Sequence, residues 1–527
     1  MSEKKEPDTP PAESVNSSEE ELPAVRGQVP YKVWLVQGLY FLERAAFYGL
    51  SQPLQNYLQL SPDDPIRPGA LGLGQARAVL VVYIWFIYSY STPLVGGLLA
   101  DCWLGRRKTI QVGFLIYVLG VSLVTATAFT QRIYGTGGLP GFIIGMFLVG
   151  AGTGTVKPNI TVFLIDQFPE EEPKVVTLKN GKSATVSREL TIRFIWNVNY
   201  WMINVGGLCG IITTNVERYA YAGFGFAFLV CLCLITASAV IFQVGYMKFE
   251  TAPPSGNAIA NLFGALRRRR SPAHPGPDQT EVAIQSSAEE DGFTTPSKDE
   301  AIINDAKTAL RACLVFLPFP ALMLSINLMD STLIAQAGTM QTHGLPNDIM
   351  YNLNPISVMV FLPFFQSWIY PVLAKKKINF SPEHRIGVGL FCATLAIGYT
   401  TGIQHLIYIT GPCFSHPLKC LAGNVPNDVS IGLQTPTYVF LAWAEILAIV
   451  SGTELAYSRA PASMKSIVQA LFNFFSALGS VIGVGVSFAA YDPNMVIVYG
   501  SITALLFFVT FGFEFSYFVR RKGKSAS

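Results

Sequence analysis

Apolar stretches long enough to cross a lipid bilayer recur along the chain, and few folds tolerate that pattern. Each approaches the roughly 20 residues that a membrane-spanning helix needs. Twelve are readable, at about 31–60, 74–99, 109–130, 140–166, 191–215, 221–247, 309–337, 350–374, 384–409, 437–457, 464–490 and 494–519. Charge agrees with this reading. Only 13% of the 527 residues are Asp, Glu, Lys or Arg, about half of the roughly 25% usual in soluble chains. So little charge cannot cover the surface of a soluble enzyme this large. A hydrophobic share of 50% excludes a disordered chain. A net charge of +3 is too small to argue for a nucleic-acid partner. The expected fold class is an all-α membrane protein with twelve transmembrane helices and the lipid bilayer as its surroundings.

Lys and Arg set the orientation. With both termini cytoplasmic, thirty of the 37 basic residues fall on inner segments. Five fall on outer loops: Arg67, Arg77, Arg132, Arg218 and Lys419. Residues 1–25 are polar, acidic and rich in Pro and Ser, so 1–30 reads as a disordered cytoplasmic tail without a cleavable leader. The longest polar interruption, 248–307, holds Arg267 to Arg270, Pro272, Pro275, Pro277 and an acidic, Ser/Thr-rich stretch. It reads as a cytoplasmic linker. It separates a six-helix bundle (31–247) from a second one (308–519), and a basic tail (520–527) follows. Two six-helix halves point to a transporter with its substrate held between them. A channel or a receptor is the competing reading, and the oligomeric state is not legible. Cys209, Cys231, Cys233, Cys313 and Cys392 fall in apolar helices and read as small buried hydrophobes. Cys413 and Cys420 share an outer loop, where a disulfide and two free thiols are both open. No metal-ligand spacing is present, so neither a metal nor an organic cofactor is expected.

The loop after the second helix reads Gly96-Gly97-Leu98-Leu99-Ala100-Asp101-Cys102-Trp103-Leu104-Gly105-Arg106-Arg107-Lys108. Its first glycines allow close helix approach, Asp101 can cap the next element, and three cations meet the membrane surface. The pattern resembles the loop signature of the major facilitator superfamily, which makes Asp101, Gly105 and Arg106 candidate conformational residues. Lys375 to Lys377 and Arg385 form a fainter echo in the second half.

An ion at the centre of a membrane helix costs roughly 2.5–3.5 kcal/mol on insertion scales, so such residues are functional candidates. Here they are Glu43 and Arg44 in the first helix, Lys157 in the fourth, Asp330 in the seventh, and Glu445 and Glu454 in the tenth. Fixed ion pairs that only tie helices together are the competing reading. Adjacent helix residues do not face each other, so Glu43 and Arg44 are expected to have different partners. Glu454 is expected near the inner helix end, within reach of Arg459 or Lys465.

The run Ala151-Gly152-Thr153-Gly154-Thr155-Val156-Lys157-Pro158-Asn159, ending in Asp166-Gln167-Phe168, resembles the signature of the proton-coupled oligopeptide transporter family. Leu42-Glu43-Arg44-Ala45-Ala46-Phe47-Tyr48-Gly49 is similar to its first-helix motif. Asn199 to Gly206 and Glu445 to Ser466 are similar to its fifth- and tenth-helix motifs. Gln336 to Met340 and Ile378-Asn379-Phe380 look like its fungal branch. The resemblance covers about residues 30–520. It implies the major facilitator fold and proton-driven uptake of di- and tripeptides by alternating access, at the plasma membrane. It also implies a peptide substrate, with the proton as coupling ion. By matched position, Arg44 and Lys157 would bind the peptide carboxylate and Glu445 its ammonium. Asn204 and Asn354 would bond the peptide amides, and Tyr48 and Tyr90 would line the cavity. Glu43, with Arg44, Lys157 and Glu445, is the candidate for proton coupling, and Asp330 and Glu454 for gating. The chain departs from the family at Tyr40 and Asn327, where acids are usual, and at Phe47, where Tyr is usual. Asp330 lies one turn from Asn327 and is a candidate substitute. The alternatives are the same fold moving nitrate, a modified amino acid or a peptide-like metabolite, or a peptide sensor with little flux. With no paired nucleophile and base and no nucleotide loop, an enzyme is not expected.

Overall fold

Backbone polar groups inside a bilayer must pair within their own segment, so apolar runs close as helices. The computed structural model describes residues 24–64, 67–134, 138–168, 175–177, 183–219, 223–250, 298–378, 380–417, 425–461 and 464–526, with the isolated positions 261, 264, 265, 267 and 420. The first half contains α1 (Tyr31–Ser51), α2 (Leu54–Gln59), α3 (Gln75–Leu99), α4 (Arg106–Tyr134), α5 (Gly138–Asp166), α6 (Arg188–Gly207), α7 (Cys209–Tyr219) and α8 (Gly223–Gly245). The second contains α9 (Lys298–Ala312), α10 (Phe319–Asn327), α11 (Thr332–Gly338), α12 (Leu353–Phe364), α13 (Tyr370–Lys375), α14 (Pro382–Ile409), α15 (Thr435–Ala444), α16 (Ser451–Arg459), α17 (Lys465–Ser487) and α18 (Met495–Ala526).

Among the described residues, nine helical runs are long and apolar enough to cross a bilayer. A tenth is formed by a pair bent by 51° between Asp299–Phe316 and Phe319–Gly338. The two remaining expected spans, 31–60 and 191–215, are helical but broken. The first is divided between α1 and α2 around Pro53, whose ring cannot continue the ladder. The second divides at Leu208. These two also carry polar side chains, so apolar content alone does not mark them.

Where helices approach closely, glycine is required. A Cβ on Gly96 of α3 would lie 2.4 Å from the Gly154 carbonyl oxygen of α5. One on Gly152 would lie 2.5 Å from the Tyr117 Cβ of α4. Gly105, between α3 and α4, has φ +73° and needs no side chain. Between the halves, buried Tyr83 of α3 packs on Gly483 of α17, where a Cβ would meet its ring at 2.4 Å.

A three-stranded sheet joins the segment before α1 to the connection between α5 and α6. β1 (Ala24–Arg26) runs parallel to β3 (Ser183–Ser187), and β2 (Val175–Thr177) runs antiparallel to β3. Arg26 covers the Phe194 ring at 3.8 Å. The expected tail 1–30 therefore gives way to structure by residue 24, while residues 1–23 lie outside the described residues. The expected linker 248–307 is helical from Lys298, where α9 starts, and most of 251–297 lies outside the described residues. The basic residues after 519 continue α18 and do not form a separate tail.

Cys413 and Cys420 are joined by a disulfide. Cys209, Cys231, Cys313 and Cys392 are buried as expected, but Cys233 is exposed because it faces outward from α8.

Candidate substrate cavity

The charged helices converge on a cavity lined by residues of both halves. Arg44, Lys157, Tyr48, Tyr90, Asn204, Asn354 and Glu445, expected to contact substrate, all line it. Asp330 and Asn327 line it too.

Arg44 and Glu43 are 1% and 0% exposed and pair with each other, which corrects the expectation of separate partners. Arg44 Nε donates to Glu43 Oε2 at 2.6 Å, and Nη2 donates to Oε1 at 2.5 Å. The helical-wheel rule describes Cβ directions, and the long arginine stem bends around it. Thr153 Oγ1 completes the cluster. It accepts from Arg44 Nη2 at 2.9 Å and donates to Glu43 Oε1 at 3.2 Å. Thr153 lies one turn before Lys157 on α5, so both reach the same face. The guanidinium also lies 4.7, 5.6 and 5.9 Å from the ring centres of Phe47, Tyr40 and Tyr48. Aromatic faces thus share the cation with Glu43.

Lys157 makes no ion pair among the described residues and faces the cavity. Asn204 Nδ2 donates to the Tyr200 carbonyl at 2.9 Å. On the opposite wall, Asn354 Nδ2 donates to Glu445 Oε1 at 2.9 Å, so the expected amide and acid form one unit. Glu445 opens a π-helical segment, Glu445–Val450, between α15 and α16. Such bulges recur at functional sites.

Asp330 closes a short 3-10 turn, Leu328–Asp330, and Ser331 breaks the helix with φ −139° and ψ −97°. Asn327 Nδ2 donates to Ser480 at 2.9 Å, and Tyr90 Oη approaches the Asn327 amide oxygen at 3.5 Å.

The expected gating residues divide. Arg106 Nη1 binds Asp166 at 2.8 Å and Nη2 lies 3.9 Å from Asp101. Asp101 sits inside the π-helical turn Ala100–Leu104 and pairs with Arg106. Glu454 is exposed and lies outside the cavity lining. Arg459 pairs with Glu383 of α14, not with Glu454, and the side chain of Lys465 lies outside the described residues.

The cavity is closed at one end. α3 runs from Gln75 to the basic loop at 105–108, so Gln75 marks the end opposite the basic loop. Asn56 and Asn347 exchange side-chain hydrogen bonds of 2.9 Å in both directions there. Gln52 and Asn352 do the same at 3.4 and 3.0 Å. Arg67 donates to the Gly338 carbonyl at 3.3 Å and Arg218 to the Leu345 carbonyl at 2.8 Å. Apart from Tyr90 and Asn327, the hydrogen bonds between halves among the described residues all lie at this end. Of these closing residues only Arg67 and Arg218 stood out in the sequence, as outer-loop cations; Gln52 and Asn56 fall inside the expected first span, where an uncharged amide is not conspicuous.

Comparison with known proteins gives a consistent set of matches. The POT family model matches residues 107–502. The chain is 34% identical to the probable peptide transporter ptr2 of Schizosaccharomyces pombe, over 92% of this chain and 77% of that protein. It is 31% identical to the peptide transporter PTR2 of Saccharomyces cerevisiae, over 90% of this chain and 78% of that one. In three dimensions it superposes on an auto-inhibited POT family peptide transporter with a TM-score of 0.71 and 20% identity, covering 93% of this chain and 97% of the other.

Proposed function

This chain belongs to the POT family and has the major facilitator fold, and we propose that it takes up di- and tripeptides together with protons by alternating access. One observation carries the reading: a single cavity holds Arg44 and Lys157 on one half and Glu445 on the other. A short peptide is a zwitterion, and a site for it needs cations on one wall and an acid facing them. A ligand that bridges the two walls favours closure of the halves around it. The designation of the fungal relatives as peptide transporters supports the cargo class.

The coupling we propose runs through Glu43. While Glu43 is ionised it occupies Nε and Nη2 of Arg44, leaving Nη1 without a hydrogen-bond partner among the described residues. A proton on Glu43 cancels that pairing and releases the guanidinium to a peptide carboxylate, so proton and peptide bind cooperatively. Asp330, which lines the cavity from the second half, takes the part of the acid absent at Asn327 and answers Lys157, which has no ion pair among the described residues. The ion pairs of Arg106 with Asp101 and Asp166 brace the basic end. The proton is the coupling ion, and no cofactor is required. We place both termini in the cytoplasm, as the basic residues favour, and the protein in the plasma membrane. The end closed by Asn56 and Asn347 then faces outward.

The test is uptake of a labelled dipeptide into vesicles holding the purified protein, with and without an inward proton gradient. Gradient-driven accumulation, competed by unlabelled di- and tripeptides but not by free amino acids, is expected. Absence of any peptide response would overturn the reading. Glu43→Gln should abolish accumulation yet retain exchange of peptide for peptide. Uphill uptake unchanged in that variant would reject the role of Glu43.

A further inference from the structure

At the closed end, two acids from opposite halves meet away from water. Glu217, near the end of α7, is 3% exposed, and Asp348, in the 3-10 turn Asn347–Asn352, is 0% exposed. One amide ties them together: Asn56 Nδ2 donates both to Glu217 and to Asn347, the chain neighbour of Asp348. Glu217 Oε1 accepts from Asn56 Nδ2 at 3.1 Å. Its Oε2 and both oxygens of Asp348 have no donor among the described residues.

Among the described residues, the cation whose charge reaches both acids is Arg218. Arg218, beside Glu217 on α7, turns to the Leu345 carbonyl. Arg67 is bound by Asp64 at 2.7 Å and by the Gly338 carbonyl. Tyr219 donates to the Gly344 carbonyl at 2.6 Å. Asn56 and Asn347 are neutral, and Tyr438 of α15 is buried without charge. Two ionised carboxylates side by side and out of water repel strongly. One proton between them removes the repulsion and supplies the missing donor.

We propose that Glu217 and Asp348 share a proton across the closed outer end, and that this proton is a lock on the outer gate. When the halves part, each carboxyl meets water, and both ionise at neutral pH. The closed gate therefore holds one more proton than the open one, and rising external pH favours opening. The proton is taken from the outer side and returned to it. It tunes the rate of reopening and adds nothing to the protons moved per peptide. The proposal rests on the orientation given above, and it is separate from the Glu43 proton in the cavity.

The experiment measures the distance between spin labels on unnatural residues at Asp63 and His343, both exposed at the outer end. The full chain is held in lipid nanodiscs without peptide between pH 5 and 8. In the wild type the closed-to-open ratio should fall with pH, by at most about tenfold per unit for one linked proton. Glu217→Gln and Asp348→Asn each keep a permanent amide donor, so both should stay closed at every pH. Glu43→Gln should respond as the wild type does. A wild-type ratio that ignores pH, or amide variants that titrate normally, would overturn the lock. So would a response lost in Glu43→Gln and kept in Glu217→Gln, which would assign it to the cavity. Failure of peptide uptake in vesicles would overturn the proposed cargo and leave this distance response standing.

Discussion

Arg44 is engaged on almost every side, and this decides how substitutions there will act. Glu43 takes two of its donors, Thr153 shares one, and three rings surround it. A lysine keeps the charge but offers no planar fork, so it cannot hold Glu43 bidentately and still present a donor to the cavity. Arg44→Lys should therefore lower the kcat/KM of dipeptide exchange by about tenfold or more, a loss of about 1.4 kcal/mol or above. Thr153→Val removes a bridging hydroxyl at constant volume. It should cost about 1 kcal/mol, roughly fivefold in the same assay. Exchange kinetics for both variants check the order: a Thr153→Val loss as large as that of Arg44→Lys would mean the hydroxyl, not the fork, organises the site.

At the scale of elements, the charges that matter were legible because a bilayer makes each one conspicuous. Arg44, Lys157 and Glu445 were found from that cost, and all three meet in one cavity. The Glu43–Arg44 pair was not legible, since helix spacing fixes where side chains start and not where a long one ends. Nor was the π-helical turn at Glu445, or the break at Ser331, because no proline or glycine marks either. Both depend on packing against neighbouring helices. Asn347, Glu217 and Asp348 lie near element ends, where polar residues ordinarily face water, and Asn56 is an uncharged amide within the short α2, so their burial appears only when the halves are assembled. The glycine motifs carry a prediction of their own. Gly96→Ala places a methyl against the Gly154 carbonyl oxygen at 2.4 Å, where only backbone movement can make room. Overpacking of this kind costs about 1–3 kcal/mol, and it pushes α5, with Lys157, away from α3. A lowered thermal midpoint together with a raised peptide KM is expected. Gly97→Ala meets nothing within 4 Å and serves as the control that should change neither.

For the whole molecule, the distribution of bonds between halves sets the resting conformation. Reciprocal amide pairs, Asn56 with Asn347 and Gln52 with Asn352, hold the end opposite the basic loop. The described residues show no comparable bonds between halves at the basic end, where Arg106 pairs with Asp166 inside the first half and Arg459 with Glu383 inside the second. Those pairs do not oppose separation of the halves at that end. The molecule is thus closed outward in the orientation proposed. Alternating access requires the reverse state to lie only a few kcal/mol away, so the outer bonds must be strong enough to close and weak enough to break. Each buried neutral hydrogen bond contributes about 1 kcal/mol net. Asn347 donates to Asn56 and to the Ile334 carbonyl at 3.1 Å, and accepts from Asn56. Asn347→Ala should therefore shift the balance toward the outward-open state by about 2–3 kcal/mol, roughly 30- to 150-fold. A cysteine placed at Ser51, on the cavity wall, should become more reactive to an impermeant reagent added outside. Native cysteines would be replaced in both proteins. Because the whole cycle must still close, peptide accumulation should fall even though the outward site is better exposed. Faster labelling with reduced uptake is the combination expected of a weakened outer gate. Unchanged labelling would show that the amide pair contributes nothing to the closed state.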